Sequence, residues 1–409
     1  MMRPADYEVI SGGVTAVPGT LASGVSCGLK EKGKDLALVC MDKIAAAAAV
    51  FTTNRVKAAP VMVSQEHLKG GVAQAIVVNS GNANACTGVE GLQDARRMAE
   101  ITAQKLNILP RHVVVASTGV IGVPLPMDKI ETGIERAVAE LSPQGGRAAA
   151  EAIMTTDTCV KEYALRTEIG GREVTVGGMA KGAGMIHPNM ATMLAFITTD
   201  LNISSKSLRK ALSTTVDRSF NMITVDGDTS TNDMVVLLAN GLAGNPVLQE
   251  FGNGWQEFLD ALEHVCVELA KMIARDGEGA TKLVEVRVLN AQSAEEARKA
   301  ARAIAASNLV KTALFGNDAN WGRIMAALGY SGAQFNPDLV EVSFASNAGR
   351  EVVAMNGRGI NFSEERVENI LRNDTVQLIV DLKEGEAEAT AWTCDLSYDY
   401  VRINADYRT

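Results

Sequence analysis

Residues 181–197 have the sequence KGAGMIHPNMATMLAFI, in which a flexible glycine-rich stretch is followed by an apolar one. A threonine hydroxyl inside a chain is a poor nucleophile without a neighbouring base, whereas a threonine at a chain terminus carries its own α-amino group as that base. Glycine and proline permit the strained backbone that attack on the preceding carbonyl requires. The segment therefore predicts cleavage between Ala191 and Thr192, with the nucleophile at the start of a β-strand. An ordinary glycine-rich loop that enters a strand is the alternative.

The composition restricts the class of protein. The 409 residues are 47% hydrophobic and carry a net charge of −9, with Lys and Arg scattered among acidic residues, which argues against a nucleic-acid partner. The N-terminal residues lack the apolar core of a signal peptide, and the longest apolar run, Ile44 to Phe51, is too short to span a membrane. We therefore expect a cytoplasmic protein without a membrane partner.

The cysteines and histidines give no sign of a metal site. The 6 cysteines are spread singly along the chain without a C-x-x-C pair, and the 4 histidines are isolated from them. This spacing fits neither a zinc site nor a disulfide framework. We expect reduced thiols, no metal and no bound cofactor.

Apolar β-branched runs alternate with amphipathic helical patterns, although without a strict βαβ rhythm. Predicted strands include Leu36 to Met41 and Thr192 to Thr198, and predicted helices include Trp255 to Ala274 and Ala294 to Leu314. No repeat or linker divides the chain. The pattern predicts packed sheets covered by helices.

Two polar segments are candidates for binding or catalysis. Ser117 to Gly122 follows an apolar strand and offers backbone N–H groups that could stabilise an oxyanion, although a tight turn at Gly119 is the simpler reading. Met154 to Thr158 concentrates three hydroxyls beside one carboxylate. Such a cluster suits the head group of an amino acid, and its alternative is a helix cap or turn.

Three further segments carry charge. Asp226 to Asp233 superficially resembles a cation loop but lacks the order of an EF-hand, so a hydrogen-bonded turn is favoured over a metal site. Glu278 lies between two glycines after a long helix, where it could meet an ammonium group or simply follow a glycine C-cap. Asn317 to Arg323 sets an aromatic ring beside a guanidinium group, for which stacking is the usual explanation.

Taken together and in this order, these segments resemble a known family, the arginine biosynthesis bifunctional proteins, also called glutamate N-acetyltransferase or ornithine acetyltransferase. The resemblance covers essentially the whole chain. It is carried by the segments Phe51–Arg55, Val78–Asn84, Lys181–Asp200, Val225–Asp233, Trp321–Arg323 and Trp392–Thr409.

The resemblance implies an α/β (α+β) fold: a layered αββα sandwich like that of N-terminal-nucleophile hydrolases but differently connected, plus a smaller C-terminal α/β domain. It implies autoproteolysis into an α chain, residues 1–191, which holds the oxyanion turn and the substrate loop. The β chain, residues 192–409, would begin with the nucleophile, and its part from about residue 290 onwards would form the C-terminal lobe. Family members usually assemble as α2β2 heterotetramers.

Residue roles follow from the same resemblance. Thr192 corresponds to the nucleophile, and Thr118 with Gly119 to the oxyanion hole. The positions that correspond to substrate-binding residues are Thr155, Lys181, Thr192, Glu278, Asn404 and Thr409. Ala191 and Thr192 flank the cleaved bond.

The implied reaction transfers an acetyl group from N2-acetylornithine to glutamate, giving N-acetylglutamate and ornithine, through an acetyl-threonine intermediate. Acetyl-CoA is a further candidate substrate. Another threonine N-terminal-nucleophile enzyme, an aminopeptidase or amidase whose acyl acceptor is water, is the alternative. Two positions depart from the family pattern: His187 replaces a small residue, and Ala319 replaces a proline.

Overall fold

The computed structural model describes residues 7–187 and 193–406. Its strands are β1 (Glu8–Ile10), β2 (Thr20–Val25), β3 (Leu36–Phe51), β4 (Val72–Asn82), β5 (Val113–Val120), β6 (Lys161–Ile169), β7 (Arg172–Lys181), β8 (Leu194–Thr199), β9 (Ile223–Thr224), β10 (Met234–Ala239), β11 (Leu283–Ala291), β12 (Glu341–Ser346), β13 (Gly349–Met355), β14 (Arg358–Gly359), β15 (Thr375–Asp381) and β16 (Ala387–Cys394).

The α-helices are α1 (Ala59–His67), α2 (Gly88–Leu106), α3 (Met127–Ala139), α4 (Gly146–Ala152), α5 (Ser205–Val216), α6 (Trp255–Arg275), α7 (Ala294–Ala306), α8 (Asn308–Phe315), α9 (Trp321–Gly329), α10 (Glu364–Leu371) and α11 (Tyr398–Asp406).

The larger sheet has the strand order β1-β6-β7-β8-β10-β3-β4-β5, and β2 pairs with the first half of β3. β3 is shared by two halves of this sheet, one containing β2, β4 and β5 and the other containing β10, β8, β7, β6 and β1. Its first half pairs with β2 and β4, and its second half pairs with β10. The register with β4 shifts between Cys40 and Ala45, and the intervening residues 42–44 are exposed. A bulge of this kind bends a strand.

Because β3 bends, the two halves of the sheet face each other. Val39 of β3 and Val78 of β4 lie in one apolar cluster with Phe196 of β8 and Val236 of β10, and all four side chains are fully buried. This cluster is the inner layer between the two halves. The even-numbered residues of β3, such as Leu38, point the other way, as alternation along a strand requires.

Helices cover both outer faces. Met98 of α2 and Ile130 of α3 pack on the half that contains β4 and β5, in the cluster of Leu38. Leu208 of α5 and Phe258 of α6 pack on the half that contains β7, β8 and β10. The predicted layered αββα sandwich is therefore confirmed.

A second sheet has the order β14-β13-β12-β15-β11-β16-β9. α7 packs on β11 and β16, and α6 lies against the same two strands as well as against β6 and β7 of the larger sheet. The apolar cluster that contains Phe258 continues through Val286 of β11 and Ala301 of α7. α6 therefore joins the two sheets through one continuous core.

Most predicted elements are present, with shifted ends. The helix predicted at Trp255 to Ala274 is α6, and the strand predicted at Thr192 to Thr198 is described from Leu194 to Thr199 as β8. The single helix predicted over Ala294 to Leu314 is wrong. It breaks at Ser307, whose side chain accepts a hydrogen bond from the Val310 N–H and so begins α8.

We predict that Phe196→Ala lowers the free energy of unfolding by about 3–5 kcal/mol, because it leaves a cavity in the inner layer. The control is Phe251→Ala, which removes an aromatic ring that is 84% exposed. This control should change the free energy by no more than about 0.5 kcal/mol. Chemical denaturation of the two variants makes the comparison, and equal losses would contradict the layer assignment.

Candidate functional site

A cavity of about 220 Å³ lies where β5 and β7 end and where β8 and β10 begin. Its walls also include the segment 226–233, the turn after α6 and the helix α11. The described site residues predicted from the sequence, namely Thr118, Gly119, Thr155, Lys181, Glu278 and Asn404, all line it. Six positions that are distant in sequence therefore meet in one cavity.

Ala191, Thr192 and Thr409 lie outside the described residues. The next residues along the chain, Met193 and Leu194, line the cavity. Met193 O accepts a hydrogen bond from the Met234 N–H at 3.2 Å, and Leu194 begins β8 between β7 and β10. The chain thus enters the sheet directly from the wall of the cavity.

Lys181 is the last residue of β7 and is buried. Its ammonium group donates to Thr155 Oγ1 at 2.7 Å and lies 3.5 Å from Thr118 Oγ1. Burial lowers the pKa of Lys181, while the nearby Asp157 carboxylate opposes this shift. The arrangement places a cation flanked by two hydroxyls in the wall of the cavity, which suits the binding of a carboxylate.

The turn at Thr118 and Gly119 is closely packed against the end of β4. Gly119 has φ +131° and pairs with Gly81, and a Cβ on Gly119 would lie 2.3 Å from the carbonyl carbon of Gly81. Only glycine fits this backbone conformation and this approach. The side chain of Asn232 fixes the same turn by donating to Ser117 O at 2.8 Å and to Ala83 O at 2.6 Å.

Glu278 provides a negative charge elsewhere in the cavity. Its side chain is buried, and Oε2 accepts a hydrogen bond from Asn404 Nδ2 of α11 at 2.7 Å. The Glu278 N–H donates to Ala183 O at 2.9 Å. A Cβ on Gly184 would lie 2.4 Å from the Glu278 carboxyl carbon, so a larger residue there would displace the carboxylate from this position.

The segment from Asp226 is the hydrogen-bonded turn that the sequence favours. The Asp226 carboxylate accepts from the N–H groups of Met185 at 2.5 Å, Ile186 at 2.8 Å and Asp228 at 3.2 Å. Burial raises the pKa of Tyr400, and a hydrogen bond to Asp226 raises it further. Among residues 7–187 and 193–406, no group of three or more His, Cys, Asp or Glu side chains could hold a metal ion.

Sequence reasoning missed a buried charge network behind Lys181. The ammonium group of Lys161 donates hydrogen bonds to the carboxylates of Asp157 and Asp276. From the sequence, Asp157 is identified only as part of a polar cluster. The ammonium groups of Lys181 and Lys161 outweigh the effect of burial and lower the pKa of Asp157 to about 2. Lys161 has the same position in the two-residue repeat of β6 as the buried Leu165 and Ile169, which places its side chain on the buried face and is the one signal in the sequence.

The other segments that carried the resemblance have structural contacts. Thr52 Oγ1 donates to Ser230 O at 2.8 Å, and Asn54 Nδ2 donates to Thr229 O at 3.0 Å, which holds the wall of the cavity against the end of β3. Arg323 Nη1 donates to Leu309 O at 2.9 Å within the helical region after α7.

The two departures lie outside the lining of this cavity. His187 Nδ1 is 3.1 Å from Thr224 Oγ1, and His187 lines a different cavity, together with Arg298 and Arg302 of α7. Ala319 is buried just before α9. Within the described ranges, none of the helices has the length and apolar character needed to cross a membrane.

Comparison with known proteins extends these observations. The ArgJ family model matches residues 21–409. The arginine biosynthesis bifunctional protein ArgJ of Symbiobacterium thermophilum is 57% identical, over 98% of this chain and 100% of its own length. A crystal structure of the protein of the same name from Bacillus halodurans is 49% identical with a TM-score of 0.50, and covers 53% of this chain and 100% of its own. Ornithine acetyltransferase of Mycobacterium tuberculosis, solved with ornithine, is 44% identical over 45% of this chain and 100% of its own, with a TM-score of 0.42.

A family match that starts at residue 21 and continues to residue 409 includes every residue of the cavity wall, along with both sheets from β3 onwards. The chain is therefore a member of the ArgJ family, whose relatives are named arginine biosynthesis bifunctional proteins.

Proposed function

We propose that this protein transfers an acetyl group from N2-acetylornithine to glutamate, giving ornithine and N-acetylglutamate. The observation that carries the proposal is the meeting of Lys181, with its two threonine hydroxyls, and the Glu278–Asn404 pair in a single cavity. Both amino acids have an α-carboxylate for a cation to bind. Only ornithine has a side-chain ammonium, for which Glu278 and the terminal carboxylate of Thr409 are the proposed partners.

The proposed chemistry has two steps with Thr192 as nucleophile. In the first, Thr192 Oγ bonds to the acetyl carbon, the C–N bond to ornithine breaks, and the α-amine of Thr192 moves the hydroxyl proton to the leaving nitrogen. In the second, the amine of glutamate attacks the acetyl ester and the hydroxyl of Thr192 is restored. Thr118 and Gly119 are proposed to stabilise the oxyanion in both steps.

Self-cleavage between Ala191 and Thr192 would supply the free α-amine. The solved chain from Bacillus halodurans supports this cleavage. Over its full length it matches 53% of the present chain, and residues 192–409 would make up a similar share of the present chain. The proposed products are an α chain of residues 1–191 and a β chain of residues 192–409, whose part from about residue 290 is its C-terminal lobe. We propose an α2β2 assembly in the cytoplasm, without metal or bound cofactor.

The bifunctional name of the relatives supports a second activity. For this activity we propose acetyl-CoA as a donor that acylates the same threonine. The purified protein should release N-acetylglutamate from glutamate with N2-acetylornithine, and more slowly with acetyl-CoA. Loss of the acetyl group to water at the same rate without glutamate would instead identify an aminopeptidase or amidase.

We predict that Thr192→Ala abolishes both chain cleavage and acetyl transfer, because it removes the hydroxyl that both reactions need. On a denaturing gel the variant should run as one chain of 43.3 kDa, and the wild type as two fragments. Thr156→Ala, which removes a different hydroxyl of the cavity wall, is the control and should still cleave. An uncut Thr192→Ala protein with normal turnover would contradict the mechanism.

A second prediction separates the roles of the two charged groups, Lys181 and Glu278. Lys181→Met should raise KM for both N2-acetylornithine and glutamate about 10–100-fold, because each substrate loses the partner of its α-carboxylate. Glu278→Gln keeps the shape of the side chain and should raise KM for ornithine, measured in the reverse direction, much more than KM for glutamate. Steady-state kinetics with each substrate varied in turn checks this, and equal effects of Glu278→Gln on both substrates would exclude its proposed role.

A further inference from the structure

Three charged side chains form a buried ion cluster behind the cavity. Lys161 of β6 donates from Nζ to Asp157 Oδ1 at 2.7 Å and to Asp276 Oδ2 at 2.5 Å. The side chains of Lys161 and Asp157 are 0% exposed, and that of Asp276 is 4% exposed. Placing three charges out of contact with water is costly unless they are paired and hydrogen-bonded. The two carboxylates meet this requirement for Lys161, and they raise its pKa against the lowering effect of burial.

Asp157 connects the cluster to the substrate cavity. Its Oδ1 accepts a second hydrogen bond from the Gly182 N–H at 2.6 Å, so it holds the residue that follows Lys181. Its Oδ2 accepts from the Thr155 N–H at 3.0 Å and lies 3.9 Å from Lys181 Nζ. One carboxylate therefore fixes both the backbone beside Lys181 and the threonine to which Lys181 donates.

Asp276 attaches the other end of the cluster to the fold. It follows the last residue of α6, and its carboxylate accepts hydrogen bonds from the N–H and the hydroxyl of Thr158. The segment that carries Thr155 and Asp157 is thereby tied to the end of the helix that joins the two sheets.

We propose that this buried ion cluster is a positioning unit for Lys181, which holds the ammonium group at the hydroxyls of Thr118 and Thr155. The inference rests on the proposed role of Lys181 in binding substrate carboxylates. It goes further by assigning Lys161, Asp157 and Asp276 to the reaction, although none of them lines the cavity.

The cluster also affects the pKa of Lys181. The charged groups that face Lys181 are Asp157, Lys161, Asp233, Glu278 and, from the loop before β3, Lys30. Burial is the largest influence and lowers the pKa of Lys181; Asp157 opposes that shift, and Lys161 adds to it. Removing the Asp157 charge should therefore lower this pKa further, and removing the Lys161 charge should raise it.

The test compares two variants, one that removes the Asp157 charge and one that removes the Lys161 charge together with that of its partner Asp276. Asp157→Asn keeps the buried pair of Lys161 and Asp276. Lys161→Met combined with Asp276→Asn removes that pair together, so that no buried charge is left without its partner. For each protein, kcat/KM for glutamate is measured against pH, because its profile reports the pKa values of the enzyme form that binds glutamate, which in the proposed scheme is the acetyl-enzyme.

Carboxylate binding needs protonated Lys181, so activity falls as pH rises through its pKa. We expect the alkaline limb of the profile to move to lower pH in Asp157→Asn and to higher pH in the double variant, each by on the order of half to one pH unit. A purely structural role would lower kcat/KM without moving the limb in opposite directions.

Two controls accompany these variants. Asp276→Asn alone keeps the charges of Lys161 and Asp157 and should leave the limb near its wild-type position. If the double variant does not fold, the limb of Asp157→Asn is compared with that of Asp276→Asn. Lys105→Met removes a surface ion pair with Glu135 at 2.7 Å, far along the chain from the cluster, and should move nothing.

The inference is overturned if the limb stays in place in Asp157→Asn, or if it moves in the same direction in both cluster variants, while the wild type transfers acetyl groups. A wild type that transfers none would refute the proposed function instead. In that case, calorimetry measures how ornithine binding depends on pH in Asp157→Asn and in the double variant. If the alkaline limb of binding does not move in opposite directions in these two proteins, the positioning role is refuted separately.

Discussion

The bend in β3 is the constraint on which the rest of the structure depends. The strand starts beside the end of β4, crosses to the other half of the sheet through the exposed residues 42–44, and ends beside β10. Both of its ends therefore lie at the same side of the sandwich. The ends of β5 and β7 and the starts of β8 and β10 are brought to that side as well. Loops from both halves of the sheet can then meet in one cavity, with each described site residue close to the end of a rigid element.

Charge separation inside this cavity matches the chemistry of amino acids. Lys181 and Glu278 are both buried, and both are held by hydrogen bonds to side chains from other segments. In such surroundings a charge acts more strongly than it would in water, because less solvent screens it. The same burial lowers the pKa of Lys181, which the Asp157 carboxylate opposes. The proposed role of Lys181 therefore calls for charges outside the lining of the cavity, and the buried cluster of Lys161, Asp157 and Asp276 lies directly behind it.

The sequence predicts local features of this protein better than it predicts the contacts between them. The amphipathic pattern of α6 is long and regular, so the sequence predicts this helix with a small error at one end. The second half of β3 is largely alanine, which gives no clear period, and the prediction ended that strand at Met41. The site residues came from a resemblance, because spacing alone does not bring Thr118 near Lys181. The bond between Lys161 and Asp276 joins residues 115 positions apart, so no local pattern can reveal it.

The position of β8 explains how the proposed cleavage could leave an intact enzyme. β8 is central, paired on one side with β7 from the proposed α chain and on the other with β10 from the proposed β chain. Hydrogen bonds also fix the described part of the preceding loop. The Gly182 N–H donates to Asp157, and Ala183 O accepts from the Glu278 N–H. The Asp226 carboxylate accepts from the N–H groups of Met185 and Ile186. Breaking one peptide bond between these anchored parts would remove no strand pair and no apolar layer. Met193, the first described residue after the proposed cut, would then remain at the cavity wall, because the sheet, rather than the bond itself, keeps the two chains together.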